Sequence, residues 1–212
     1  MAENYPRARG RPAIPESEIR QKIHDITLSL LLNQGYNKTT MDVIAQKAKI
    51  AKKTLYRFFK NREELIEQVV LDWQDNSPPS LTKNASTSHQ VIILLEKYLK
   101  DISDKYLSEN EVGLFKLLQS DFPHRNTLLE KYQKSGIENS KVILESWLNN
   151  QHEQGVLNKF NYNTFSELAI SMVISEPLRK MVLGLIPPLP ETDVSPQITA
   201  IIKLISIGSD KK

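Results

Sequence analysis

Apolar residues recur at helical spacing along almost the whole chain, and no stretch keeps the two-residue alternation of a half-buried strand. Across residues 17–34, Ile19, Ile23, Ile26, Thr27, Leu30 and Leu31 share one helical stripe, and Gly35 supplies a left-handed stop. Two short periodic segments follow, separated by a break of about three residues, the spacing of a helix-turn-helix. Val43, Ile44 and Ala48 form the buried side of the first, which Thr39 or Thr40 can cap, and Ala45 is small enough for a close helix crossing. Leu55, Phe58 and Phe59 anchor the second. A fourth helix runs from Arg62 to about Asp75, where Asn76-Ser77-Pro78-Pro79 stops it. Beyond a polar loop reaching Ser88, helices are predicted over residues 87–107, 111–121, 126–133, 135–154, 163–184 and 195–207. Pro177 should kink or break the helix over 163–184, and Ile186-Pro187-Pro188-Leu189-Pro190 should run extended to the last one. The expected class is all-α: a helix-turn-helix head over residues 17–76 and a helical-bundle body over residues 87–207.

The second short helix has a polar side carrying Lys52, Lys53, Thr54, Tyr56 and Arg57, with Lys60 and Arg62 just beyond. Taken alone, such a cluster reads as a solvated basic face. On a helix-turn-helix it concentrates donors for phosphate oxygens and base edges, with Thr39 and Thr40 at the start of the preceding helix. Thr39-Thr40, Ile44-Ala45, Ala48-Lys49-Ile50-Ala51, Thr54-Leu55-Tyr56-Arg57-Phe58-Phe59 and Arg62-Glu63-Glu64-Leu65 answer, in order, the motif of one family. The stretch resembles the DNA-binding domain of TetR-family transcriptional regulators. Three positions depart from that pattern. Lys49 replaces the turn glycine, Ala51 the capping serine and Lys53 a glycine near the start of the recognition helix. The first two cost on the order of 1 kcal/mol each, and the third alters the base-reading surface. The resemblance implies a three-helix head, a variable helical body that pairs into a homodimer, a palindromic operator and control by a small-molecule ligand.

Charge supports such a division of labour. Residues 1–62 hold 13 Lys/Arg against 5 Asp/Glu, and the remainder 15 against 20, so the net charge of +3 hides a basic head and an acidic body. Residues 1–16, with three prolines and hardly any apolar side chains, are expected to be a flexible basic arm, in which Arg9-Gly10-Arg11-Pro12 resembles an AT-hook. Arg9 and Arg11 either enter an A·T-rich minor groove or serve only as an electrostatic tail. Apolar runs such as residues 92–95 fall far short of the roughly 20 residues a membrane span needs, no signal-peptide pattern is seen, and cysteine is absent. A cytoplasmic protein with no membrane partner is expected.

His24, His89, His124 and His152 lack metal-type spacing, and neither a dinucleotide-binding nor a Walker glycine pattern occurs. No catalytic residue, metal or cofactor is therefore expected, and the chain is not read as an enzyme. The apolar faces over residues 135–154 and 163–184 include Ile137, Val142, Ile143, Trp147, Leu168, Met172, Val173 and Ile174, more than one-sided packing requires, and part of them should meet a second copy. Tyr98, Phe115, Phe122, Tyr132 and Trp147 offer aromatic walls for a ligand pocket, although core packing explains each equally well. The competing reading is a ligand-independent DNA-binding scaffold or nucleoid-associated protein.

Overall fold

The computed structural model describes residues 15–73, 79–123 and 125–209. These form eleven α-helices among the described residues: α1 Glu16–Gln34, α2 Met41–Ala48, α3 Lys52–Phe58, α4 Arg62–Trp73, α5 Ser88–Tyr106, α6 Glu109–Leu118, α7 Arg125–Ser135, α8 Ile137–Glu153, α9 Tyr162–Ile170, α10 Glu176–Val182 and α11 Ser195–Ser209. The all-α expectation holds. Local chemistry sets the starts. Thr40, Thr87, Ser108 and Asn161 each accept a hydrogen bond from a backbone N–H three residues on, satisfying an otherwise orphaned donor. Because Ser108 caps it, α6 begins two residues before the Glu111 that periodicity suggested.

Between α9 and α10 the backbone widens into a π-helical turn over Ser171–Ser175. Pro177, near the start of α10, has no N–H to donate, and the wider turn absorbs the misfit without breaking the helical path. The break expected at Pro177 is therefore replaced by a local change of pitch. The prolyl connection after α10 is tied down where the Leu189 N–H donates to the Leu107 carbonyl at 2.9 Å.

The α2–α3 turn is closed by Lys49 in a left-handed conformation at φ 54°, the only non-glycine positive φ among the described residues. Its N–H reaches the Gln46 carbonyl and the Ile50 N–H that of Ala45, the paired bonds of a Schellman stop. Left-handed lysine costs roughly 1–2 kcal/mol, and glycine loses roughly 0.5–1 kcal/mol more chain entropy on folding. Lys49→Gly should therefore raise stability by about 0.5–1 kcal/mol, read as an increase in urea midpoint at unchanged slope.

Two apolar cores organise the chain. One lies among α5, α8, α9, α10 and α11, with Leu95, Leu99, Ile102, Leu144, Leu148 and Val173 fully or almost fully enclosed. The other gathers Ile23, Leu31, Ile44, Leu55, Leu65 and Ile66 from the head together with Leu114, Leu117, Leu118, Phe122 and Leu128 from α6, its following loop and α7. Helix α6 lies so close to α1 that a Cβ on Gly113 would stand 2.8 Å from Leu32 Cβ and 3.1 Å from its carbonyl oxygen. A layered stack seals the seam: the Arg62 guanidinium lies 3.9 Å from the Tyr36 ring centroid, and that ring stacks on Phe122 at 5.7 Å.

The polar loop before α5 is not a loose tether where it is described. Trp147 Nε1 donates to the Lys83 carbonyl at 2.8 Å, and the fully buried Gln151 accepts from the Ala85 N–H at 2.9 Å. Two side chains of α8 thus hold this segment against the body.

Candidate nucleic-acid interface and ligand cavity

Leu55 and Phe58 sink into the head core and fix the roll of α3, leaving Lys52, Lys53, Tyr56 and Arg57 exposed and Thr54 half-buried. Lys60, just past the helix, is exposed as well. Two of these cations have acidic neighbours. Lys52 Nζ lies 2.5 Å from Asp42, and Arg57 lies 3.1 Å from Glu16 while covering the Phe58 ring at 4.9 Å. Such exposed pairs are worth about 0–1 kcal/mol, so a phosphate can displace them.

Two expected contacts are reassigned. Thr39 is fully buried and its hydroxyl donates to the Gly35 carbonyl at 2.9 Å, so it braces the entry to α2 while Thr40 caps it. Arg62 is half-buried and donates to the Tyr36 carbonyl as well as covering that ring, so its guanidinium belongs to the head–body seam. Arg9 and Arg11 lie outside the described residues. Sequence reading missed Asn61, whose side chain accepts from the Glu64 N–H while Glu64 accepts from the Lys60 N–H, two bonds that tie the start of α4 to the end of the basic face.

A cavity of about 430 Å³ opens between α6, α7, α8 and α10. Phe115 and Tyr132 line it, with their rings edge-on at 6.0 Å. Tyr98, Phe122 and Trp147 do not. Tyr98 is enclosed in the body core with its hydroxyl donating to the Ser140 carbonyl, Phe122 is in the head core against Tyr36, and Trp147 holds the loop before α5. The other walls are Ile137, Leu178, Val182 and Leu183, with Gln119, Glu138, Ser175 and Arg179 as the polar groups. Helical spacing was the available signal, since Phe115 and Gln119 share one face of α6, and Leu178 and Val182 one face of α10. Among the described residues no cluster of three or more His, Cys, Asp or Glu could hold a metal ion, and no helix is long and apolar enough to cross a membrane.

Glu111 lies one turn before Phe115 on the same face of α6. Burial pushes its carboxyl up to about 7, with the Lys105 charge partly offsetting the rise. Burial and the field of Glu111 together raise the Tyr132 hydroxyl. The native state therefore holds a proton on Glu111 that the unfolded chain releases near pH 4.5, so this residue's contribution to stability falls as pH rises from about 4.5 through about 7. Glu111→Gln should remove that loss, on the order of 3 kcal/mol. Thermal melts at pH 5 and pH 8 check it: the gap between the two midpoints should shrink in the variant, and an unchanged gap contradicts a buried Glu111 carboxyl.

Comparison with known proteins follows the same division of the chain. Residues 23–69 match bacterial regulatory proteins of the tetR family, and residues 94–206 match the C-terminal domain of AefR-like transcriptional repressors. The HTH-type transcriptional regulator YvkB of Bacillus subtilis (strain 168) is 26% identical over 171 residues, spanning 77% of this chain and 84% of the relative. A TetR transcriptional regulator from Agrobacterium tumefaciens superposes with a TM-score of 0.69 at 18% identity, covering 92% of this chain and 96% of the other. The flavonoid-responsive regulator FrrA superposes with a TM-score of 0.58 at 21% identity, covering 91% and 97%. These two structural likenesses concern the fold.

Proposed function

Because this chain belongs to the TetR family of bacterial DNA-binding transcriptional regulators, we propose that it is a cytoplasmic homodimeric repressor whose two heads grip a palindromic operator until a small molecule enters the body cavity. The observation that carries this reading is the two-sidedness of α6. Phe115 and Gln119 face the cavity, while Gly113, Leu114, Leu117 and Leu118 bear on the head. A ligand that moves α6 must move α1 with it, because their contact leaves no clearance. Displacement of α1 carries α3 along through the shared head core. Two recognition helices that fit successive major-groove faces in one spacing do not fit in another, so operator affinity is lost by geometry. DNA contact is assigned to Lys52, Lys53, Thr54, Tyr56, Arg57 and Lys60, with the Thr40 cap beside them and the arm residues Arg9 and Arg11 as minor-groove candidates. That a structural neighbour is named for its response to a flavonoid supports, by analogy of fold, an effector in this body.

Pairing is assigned to α8 and the α9–α10 path. Val142, Leu168 and Met172 are 56%, 54% and 37% exposed, large apolar side chains on the face where the sequence pattern exceeded one-sided packing. Trp147, Val173 and Ile174 from the same pattern are buried in the chain's own core and are not available to a partner. In a two-fold contact each exposed residue is used twice. The double change Val142→Asp plus Leu168→Asp should convert a dimer into a monomer in sedimentation velocity at micromolar concentration. A variant that still sediments as the dimer moves the interface elsewhere.

Selection of duplexes from a random pool by the full chain, followed by footprinting, tests the function. Inverted half-sites about one helical turn apart are expected. Recovery of unrelated sequences with no repeat would favour the scaffold reading instead.

A further inference from the structure

We propose that the cavity between α6, α7, α8 and α10 takes a lipophilic cation, its positive centre held by the Glu138 carboxylate against the Phe115 and Tyr132 rings. The inference rests on the reading of that cavity as the effector site and names the chemistry of the effector. Carbon atoms dominate the walls, so the bulk of the occupant is apolar. The polar groups then decide its charge. Arg179 is the one cation lining the cavity among the described residues, and Glu176 already holds it in a fork, with Nε to Oε2 at 2.7 Å and an outer nitrogen to Oε1 at 2.9 Å. Glu176 is also 3.5 Å from Lys180. The charge of Arg179 is thus already offset by Glu176. Glu138, by contrast, stands exposed at the cavity mouth with no ion pair among the described residues.

The aromatic walls also favour positive charge. Phe115 and Tyr132 both line the cavity as an edge-on pair, and an aromatic ring attracts a cation once water is excluded. An anion would meet the unpaired Glu138 carboxylate at the mouth. A volume of about 430 Å³ suits a compact organic ion with several rings.

Tetraphenylphosphonium and tetraphenylborate have the same shape and opposite charge, and titration calorimetry of the full chain with each tests the proposal. The phosphonium should bind saturably, one per chain, at least tenfold more tightly than the borate. Glu138→Gln keeps the side chain's size and sits on the surface, so the fold is retained. It should weaken phosphonium binding about tenfold and leave the borate no weaker. Equal or tighter binding of the borate overturns the proposal, most directly if Arg179→Gln then abolishes it. Unchanged phosphonium affinity in Glu138→Gln overturns it too, as does failure of the phosphonium to bind. The operator reading is judged separately by the duplex selection, which uses neither ion.

Discussion

Gly113→Val should lower the melting temperature by about 5–10 °C and weaken operator binding. The added Cβ would meet Leu32 Cβ at 2.8 Å and the Leu32 backbone at 3.1 Å and 3.3 Å, so no rotation of a flexible side chain relieves the clash. Helices α1 and α6 must separate, and the gap opens in the layer where Leu30, Leu31 and Leu32 meet Leu114, Leu117 and Leu118. Overpacking of this kind costs roughly 1–3 kcal/mol, and about 2–4 °C is lost per kcal/mol in a chain of this size. Replacing a mid-helix glycine by alanine offsets up to about 1 kcal/mol through helix propensity, and valine recovers less, which makes valine the clearer test. Circular dichroism melts and anisotropy on the selected operator read both effects. A valine variant that melts within a degree of wild type would mean that α1 and α6 are not in close contact.

Lys53→Ala combined with Arg57→Ala should reduce operator affinity by two orders of magnitude or more while leaving the melting temperature nearly unchanged. Both side chains are exposed and contribute little to the core. On DNA each either reads a base, worth roughly 1–3 kcal/mol, or neutralises a phosphate, worth about 0.9 in the slope of log affinity against log salt. The weak Glu16 pairing of Arg57 cannot compete with either. Tyr56→Ala, at a side chain 52% exposed beside them, should add a further loss of binding and leave the salt slope unchanged. Anisotropy titrations at two salt concentrations distinguish the cases. Unaltered affinity and slope in the double variant would show that this face does not meet the duplex.

The head was legible because its signals are local. Apolar spacing fixed the roll of α3, and Lys49 takes the left-handed stop at the position where the family has glycine. Thr39 and Arg62 misled because a hydroxyl or guanidinium near a basic helix looks the same in sequence whether it faces solvent or a backbone carbonyl. The cavity was harder to read, since its walls come from four helices and no single periodicity marks them. Aromatic residues were a poor guide for a related reason. Tyr98 and Trp147 carry polar atoms that find backbone partners when buried, and that satisfied burial, not contact with a ligand, accounts for their positions. Val142 and Leu168 could be singled out only as members of an apolar excess, and it took the packing of α8 against α9 to separate them from the buried Val173 and Ile174.

The core shared between the head and helices α6 and α7 bears on any attempt to transplant recognition specificity. A fragment cut after α4 would leave behind Leu114, Leu117, Leu118, Phe122 and Leu128, and with them one wall of its own interior. Fusion of a foreign head at the loop before α5 would face the same mismatch from the other side, because Gly113 packs directly against the backbone and Cβ of residue 32 and fixes how closely α1 must lie. Operator preference is therefore best exchanged by grafting the exposed residues of α3 alone, leaving every side chain that touches α6 as it stands.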